Sequence, residues 1–242
     1  MIKDNSKNEN DEYKKSIVVF LDILGFKDKI KNDTPKEIYG ILNYINAWNT
    51  EDGVNDFIPE KVYCYEKYLN AQNIDVNKLC SDVRSELKVS TFSDSMIISL
   101  PYTEDEFNNK FFMIVYFTAY LMSHLAMGNY FCRGGISVGD MFHKKNIFFG
   151  EGFLKAYELE QIAIYPRVIF SKEIEEKFDK QMPYTKQFND GLFGVDFLNF
   201  AKELRNNSVY LQPIEKLIDE NINYWKDIQQ VRMKYEWLKN QL

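Results

Sequence analysis

The chain has 242 residues, enough to bury a sizeable core in one large domain or two small ones. Its 19 Phe and 16 Tyr exclude a disordered polymer over most of the length. A net charge of −6 with no dense basic stripe excludes a nucleic-acid platform, while leaving room for a nucleotide bound through a metal ion.

Met1 to Lys15 is polar and charged, which predicts a flexible tail over residues 1–15 and no secretory signal. Ile17 to Leu21 is an apolar run of strand length, with Asp22 at its C-terminal end. Thr34-Pro35 fits an N-cap followed by Pro at the first helical position, opening a helix to about Trp48. Asn49 to Asp82 is polar, irregular and tyrosine-rich, which suggests an insertion over 49–82. Leu87 to Leu100 then reads as two strands joined by a tight turn at Ser93-Asp94.

Thr103 to Glu106 starts an apolar helix that ends near Gly128-Asn129. Its Phe111 to Met127 stretch holds Thr118, Ser123 and His124 and is shorter than the ~20 apolar residues of a membrane span, so a buried helix is expected. His124 fits a satisfied core residue and His143 a surface one. Phe131 to Val138 is the next strand, Gly139-Asp140 a hairpin turn signal, and Lys144-Lys145 a solvated turn. Ile147 to Phe149 is a short strand before Gly150-Glu151-Gly152 and a helix to about Ile164, whose Glu158 and Glu160 read as surface charge. Tyr165-Pro166 breaks that helix, and Arg167 to Phe170 is a strand. From Ser171 to Asn206 the pattern weakens, with Leu192 to Phe200 apolar enough to pack, and Pro213 to Leu242 reads as one long amphipathic helix. Cys64, Cys80 and Cys132 lack metal-ligand spacing, so reduced thiols and a cytoplasmic location are expected.

This order predicts an α+β fold in which helices cover a mostly antiparallel sheet. Asp22 and Asp94 each stand at the end or tip of an apolar strand, where a carboxylate is costly unless paired or bound to a cation. Converging, they would form a hard oxygen site suited to Mg2+ or Mn2+. On local sequence alone, Asp22 as a helix N-cap and Asp94 as a plain turn residue stand beside that reading.

Phe20-Leu21-Asp22-Ile23-Leu24-Gly25-Phe26 resembles the first metal motif of class III nucleotidyl cyclases. Ser93-Asp94 is similar to the hairpin that carries that family's second metal Asp, Arg133 to Gly139 to its Arg-x-Gly-Ile strand, and Phe149-Gly150 to its later Gly before a helix. The resemblance covers residues 17–170 and implies a cyclase-like sandwich over 16–170, with 171–242 as a C-terminal extension, partly helical, packed on the same domain. It implies a homodimer with active sites at the subunit interface. Asp22, the Ile23 carbonyl and Asp94 would hold two divalent ions, and backbone N–H groups of Leu24, Gly25 and Phe26 would wrap the triphosphate.

The purine-reading positions depart from that pattern: a Lys four residues before the second Asp is Ser90, and an Asp three residues before the late Gly is Ile147. The helix Asn and Arg fall on Leu154 and Glu158. Ala156-Tyr157-Glu158-Leu159-Glu160 and Tyr165-Pro166-Arg167 instead resemble the bacterial pyrimidine cyclases of Pycsar anti-phage systems. That branch implies a lyase making cUMP from UTP, with CTP to cCMP as the alternative, whose product triggers a separate effector. A purine cyclase and an inactive cyclase-like module stand as further alternatives. Ser90, Phe92, Ile147 and Phe149 become candidate base-pocket residues, and Arg133, Lys155 and Arg167 candidates for the missing transition-state Arg. No nucleic acid or membrane partner is expected.

Overall fold

The computed structural model describes residues 12–48, 68, 74–204 and 209–242. Strand β1 (Lys14–Ile23) runs between β3 (Ser95–Pro101) and β4 (Cys132–Lys144), antiparallel to both. With β2 (Lys88–Phe92), β5 (Ile147–Phe149), β6 (Val168–Phe170), β7 (Thr185–Gln187) and β8 (Phe193–Val195) it makes an eight-stranded sheet of order β2-β3-β1-β4-β6-β8-β7, with β5 paired to β4. The β4–β6 pairing is parallel and the other pairings are antiparallel. The expected α+β class, a mostly antiparallel sheet covered by helices, is what the chain forms.

Side chains alternate across β1 with a period of two, which separates the two faces. Ile17, Val19, Leu21 and Ile23 enter the large core, whereas Val18 and Phe20 enter a smaller cluster on the opposite face. The large core packs around α4 (Phe107–Met127), most of whose residues are buried. The segment Glu104–Met127 is long and apolar enough to cross a membrane, yet 83% of its apolar window lies inside the fold. Lys110 is buried within it because Glu86 (2.6 Å), Glu106 (3.2 Å) and the Pro101 carbonyl (2.9 Å) surround its ammonium. His124 is satisfied as expected, with Nδ1 3.0 Å from the Tyr120 carbonyl and Nε2 3.3 Å from the Tyr210 hydroxyl.

Two helices follow β1: α1 (Phe26–Asn32) and α2 (Pro35–Ala47). Thr34 caps α2 in a capping box with Glu37, as the Thr-Pro pair predicts. The insertion expected over 49–82 falls largely outside the described residues. Its end is helical rather than irregular, forming α3 (Val76–Glu86), because the Asp75 side chain accepts the Lys78 N–H at 3.1 Å. Most of the tail expected over 1–15 lies outside the described residues, and its last two, Lys14 and Lys15, pair instead with Met141 and Asp140 in the sheet.

The largest local correction concerns Gly139-Asp140. Strand β4 passes straight through this pair, and the turn forms at Lys145 (φ 53°) and Asn146. Gly139 serves close packing instead: a Cβ there would lie 2.7 Å from the Gly152 nitrogen of α5 (Glu151–Ala163). His143 is half-buried and hydrogen-bonded rather than free on the surface. Ser90 donates its hydroxyl proton to the Lys145 carbonyl (2.8 Å), so it accepts from His143 Nε2 (2.8 Å), leaving Nδ1 to accept from Ser99 (2.7 Å). Burial, helped by Lys88, holds this imidazole down at about 4. The triad pins the β4–β5 hairpin back onto β2 and β3.

Beyond Phe170 the same sheet continues. After α6 (Lys172–Lys177), β8 pairs with β6 through Ile169 and Gly194, and β7 adds the outer edge. Helix α7 (Phe197–Glu203) then leads to the C-terminal pair. The single helix expected over Pro213 to Leu242 is two, α8 (Leu211–Tyr224) and α9 (Gln229–Lys239), separated by a turn in which Ile228 N–H reaches the Trp225 carbonyl at 2.9 Å.

Candidate functional site

Asp22 continues the Val18–Phe20 series and so faces α5, one residue before β1 ends. It is a strand residue, and the N-cap of α1 is Gly25, which removes the capping account of Asp22. The turn carrying Asp94 lies beside it: the Ile23 N–H donates to the Asp94 carbonyl at 3.2 Å, and Asp22 is registered against Ser95. Ser93 takes a positive φ of 53°, the backbone a two-residue hairpin needs. Two carboxylates more than seventy positions apart in the chain are thus brought to one end of the sheet.

The pair sits in a strained electrostatic setting. Burial pushes the Asp22 carboxyl up to about 6, and the charges of Asp94 and then Glu160 push the same way. Ser95 donates to Asp22 Oδ1 at 3.1 Å, and Arg133 Nη2 stands 4.0 Å from Oδ2, both favouring the carboxylate. A raised carboxyl pKa means that the folded chain holds its proton more tightly than the unfolded chain does. The resulting penalty is absent below the ordinary value near 4, grows as pH rises, and is complete above about 6. Asp22→Asn is therefore expected to stabilise the metal-free protein at pH 7 by on the order of 2 kcal/mol. Urea melts at pH 4 and pH 7 check this: the gain should vanish at the lower pH.

A cation would relieve the same repulsion. Among the described residues no group of three or more His, Cys, Asp or Glu side chains forms a metal cage. Two carboxylates and a backbone carbonyl nonetheless fit Mg2+ or Mn2+, hard ions that commonly keep water and substrate phosphate in the rest of their shell.

The turn after Asp22 is open above Gly25, where φ is 73° and an added Cβ would meet nothing within 4 Å. Gly25, the N-cap of α1, and Phe26, its first residue, form this turn. The Leu24 N–H is already engaged, donating to the Phe131 carbonyl at 2.8 Å, which corrects its place among the phosphate-wrapping groups. Phe92 is half exposed beside the Asp94 turn, its ring stacked on Phe148 at 6.0 Å and tilted against Phe20 at 6.4 Å. Phe20 in turn meets Tyr157 edge-on at 5.3 Å, so an aromatic wall borders the acidic pair.

Other expected contacts are not brought to that place. Ser90 is fully buried with its hydroxyl committed to His143 and Lys145, so it lines no base pocket. Arg167 is buried by a different cluster: it donates to both Asp190 oxygens (3.0 and 2.6 Å) and to the Ala163 carbonyl, within 5.5 Å of the Tyr165, Phe188 and Trp237 rings. Its guanidinium is engaged by these partners. Lys155 is likewise held by Glu151 (3.0 Å) and Glu173 (2.8 Å). Ile147 and Phe149 are exposed on β5, Phe149 stacked on Phe142 at 4.8 Å.

Two neighbours of the site escaped the sequence reading. Glu160 belongs to the buried stripe Gly152, Ala156, Glu160, Ala163 of α5 and ion-pairs with Arg133. The helical spacing of that stripe was the available signal. Lys234 of α9 is the other: burial depresses its ammonium, Arg133 adds to this, and Glu160 opposes it. No sequence pattern linked it to the site.

No family model and no curated protein matches the chain. Among solved structures, a bacterial light-regulated adenylyl cyclase aligns with 86% of this chain and 98% of its own, at 14% identity and a TM-score of 0.39. A likeness this distant carries no assignment, and the site's chemistry stands on its own geometry.

Proposed function

We propose that the chain is a pyrimidine nucleotide cyclase that converts UTP to 3′,5′-cyclic UMP and pyrophosphate and generates the signal of an anti-phage defence. The observation that carries this reading is the meeting of Asp22 and Asp94, through the Ile23–Asp94 backbone bond, at one end of the sheet. Asp22, Asp94 and the Ile23 carbonyl would hold the divalent ions, Mn2+ or Mg2+. Bound there, such ions lower the pKa of the attacking 3′-hydroxyl and neutralise charge on the departing pyrophosphate.

The remaining work belongs to the chain. Ser95 orients the Asp22 carboxylate, and the open Gly25 turn admits the phosphates close to the backbone. Arg133 places a fixed positive charge beside Asp22 for the transition-state phosphate. Phe92, with Phe20 and Phe148 behind it, gives an apolar wall suited to the small face of a pyrimidine ring. UTP and CTP differ at one edge donor or acceptor, and UTP is the assigned substrate. The product then acts through a separate cyclic-nucleotide-activated effector.

The purified chain is to be incubated with each ribonucleoside triphosphate and Mn2+, and the products resolved by mass spectrometry. cUMP and pyrophosphate are expected. A cCMP product moves the assignment to CTP, cAMP or cGMP alone overturns the pyrimidine reading, and binding without pyrophosphate release makes the chain an inactive module.

A homodimer is part of the proposal. Leu154 and Tyr157 lie 58% and 45% exposed on α5, and Tyr157 touches the same Phe20 that borders the site. Apolar residues exposed this way beside a site suit a self-complementary contact. Leu154→Arg is expected to yield monomers by analytical ultracentrifugation and to abolish turnover. A native chain that sediments as a monomer at micromolar concentration defeats the dimer.

A further inference from the structure

We propose that Glu160 is a positioning residue that holds Arg133 off Asp22, and so keeps that carboxylate open to a divalent cation. The inference rests on the metal reading of Asp22 above. It concerns a residue that plays no part in holding the ions or the substrate.

Strand register brings the problem about. Asp22 and Arg133 are direct cross-strand partners on β1 and β4, where opposite charges normally close into contact. A free guanidinium beside a carboxylate settles into a paired hydrogen bond at about 2.7–2.9 Å. Here Arg133 Nη2 stops 4.0 Å from Asp22 Oδ2, while its Nε is ion-paired with Glu160 Oε1. The stronger partner is the one on the helix. Left to itself, Arg133 would neutralise Asp22 and compete with any incoming cation.

Glu160 is built to win that contest. Its residue is 1% exposed, and the Gln161 side-chain amide donates to its second oxygen, fixing the carboxylate. Helix α5 approaches β4 closely because Gly135 has no side chain: a Cβ there would lie 2.3 Å from Leu159 Cβ and 2.7 Å from the Ala156 carbonyl oxygen. That close approach is what lets a glutamate on the helix reach Arg133. The charged groups around the pair are Asp22 from β1, Asp94 from the hairpin turn, and Lys234 from α9, so Glu160 balances a second cation as well. Stability alone is a poor reason for this arrangement, because a buried ion pair is often no better than an apolar pair of the same volume.

The test uses the full chain, Mn2+ as the probe, and the variants Glu160→Gln, Asp22→Ala and the double variant Glu160→Gln/Arg133→Met. In a metal-free crystal of Glu160→Gln, Arg133 should move from 4.0 Å to hydrogen-bonding distance of Asp22. By calorimetry the same variant should bind Mn2+ about tenfold more weakly, the loss typical when a group supporting a metal ligand is removed. The double variant should bind Mn2+ as tightly as the native chain, because nothing remains to occupy Asp22. An unmoved Arg133 overturns the proposal, as does a double variant as weak as Glu160→Gln, which would reduce Glu160 to a source of negative field. If Glu160→Gln does not fold, the double variant, which removes both buried charges together, decides: Mn2+ bound about tenfold more weakly than by the native chain overturns the proposal. Native chain that binds no Mn2+, or binds it equally with Asp22→Ala, overturns the metal reading, and the position of Arg133 in the Glu160→Gln crystal then judges the tether by itself.

Discussion

Asp22→Ala is expected to abolish cyclic-nucleotide formation, with a fall in kcat of at least about 10²–10³, the loss seen when a single electrostatic stabiliser is removed. Asp94→Ala should do the same, because the two carboxylates are offered to the same ions. The natural objection to such a result is misfolding, and the electrostatics of the site answer it. Burial and the charges of Asp94 and Glu160 make the ionised Asp22 a destabilising group, so its removal should raise rather than lower the midpoint of a urea melt at pH 7. Lost turnover in a chain that has become more stable is the signature of a site maintained at the expense of the fold. Product quantified from UTP and Mn2+, beside the melts, checks both halves. Activity retained within tenfold in Asp22→Ala would end the reading of Asp22 as a holder of the catalytic ions.

The acidic pair drew notice because Asp22 stands near the end of an apolar strand and Asp94 at the tip between two, where a carboxylate is conspicuous in the sequence whatever surrounds it. The antiparallel sheet and the apolar helix were legible for a related reason: Ile17 to Leu21, Met96 to Leu100 and Phe107 to Met127 each carry one strong pattern. Local chemistry misled at Gly139-Asp140. A Gly next to an Asp signals a turn, yet here the glycine answers a demand from Gly152 on a helix that arrives later in the chain. The break between α8 and α9 was invisible because Tyr224-Trp225-Lys226-Asp227 holds neither Gly nor Pro. Strands β7 and β8 are three residues each, too short for an alternating pattern to register. Residues whose meaning depends on a distant partner were misjudged in both directions. Glu160 passed as surface charge until α5 was laid on β4, and Ser90 passed as a pocket residue until His143 folded back over it.

Arg167 provides the sharpest separation between a residue that looks chemical and one that is structural. Its carbonyl receives the Gly134 N–H at 3.0 Å, so it stands immediately before β6, alongside the Arg133–Gly134 stretch of β4. Its side chain nevertheless turns to Asp190, Ala163 and three aromatic rings contributed by the β6 lead-in, the segment before β8, and α9. One guanidinium therefore ties the residues before Phe170 to the C-terminal residues. Arg167→Ala leaves Asp190 unpaired, strips the stack on Trp237 and opens a void beneath the Tyr165–Trp237 pair, whose rings lie 4.6 Å apart. Breaking a buried, hydrogen-bonded ion pair by removing one partner commonly costs about 3–5 kcal/mol, and partial exposure of Asp190 places the expected loss at the lower end, about 3 kcal/mol. The Mn2+ affinity and the KM for UTP, measured at low temperature on the folded fraction, should stay within about twofold of native, because Arg167 touches neither. A KM raised tenfold or more with an unchanged melt would return Arg167 to the substrate. It would also mean that the guanidinium leaves Asp190 when nucleotide binds.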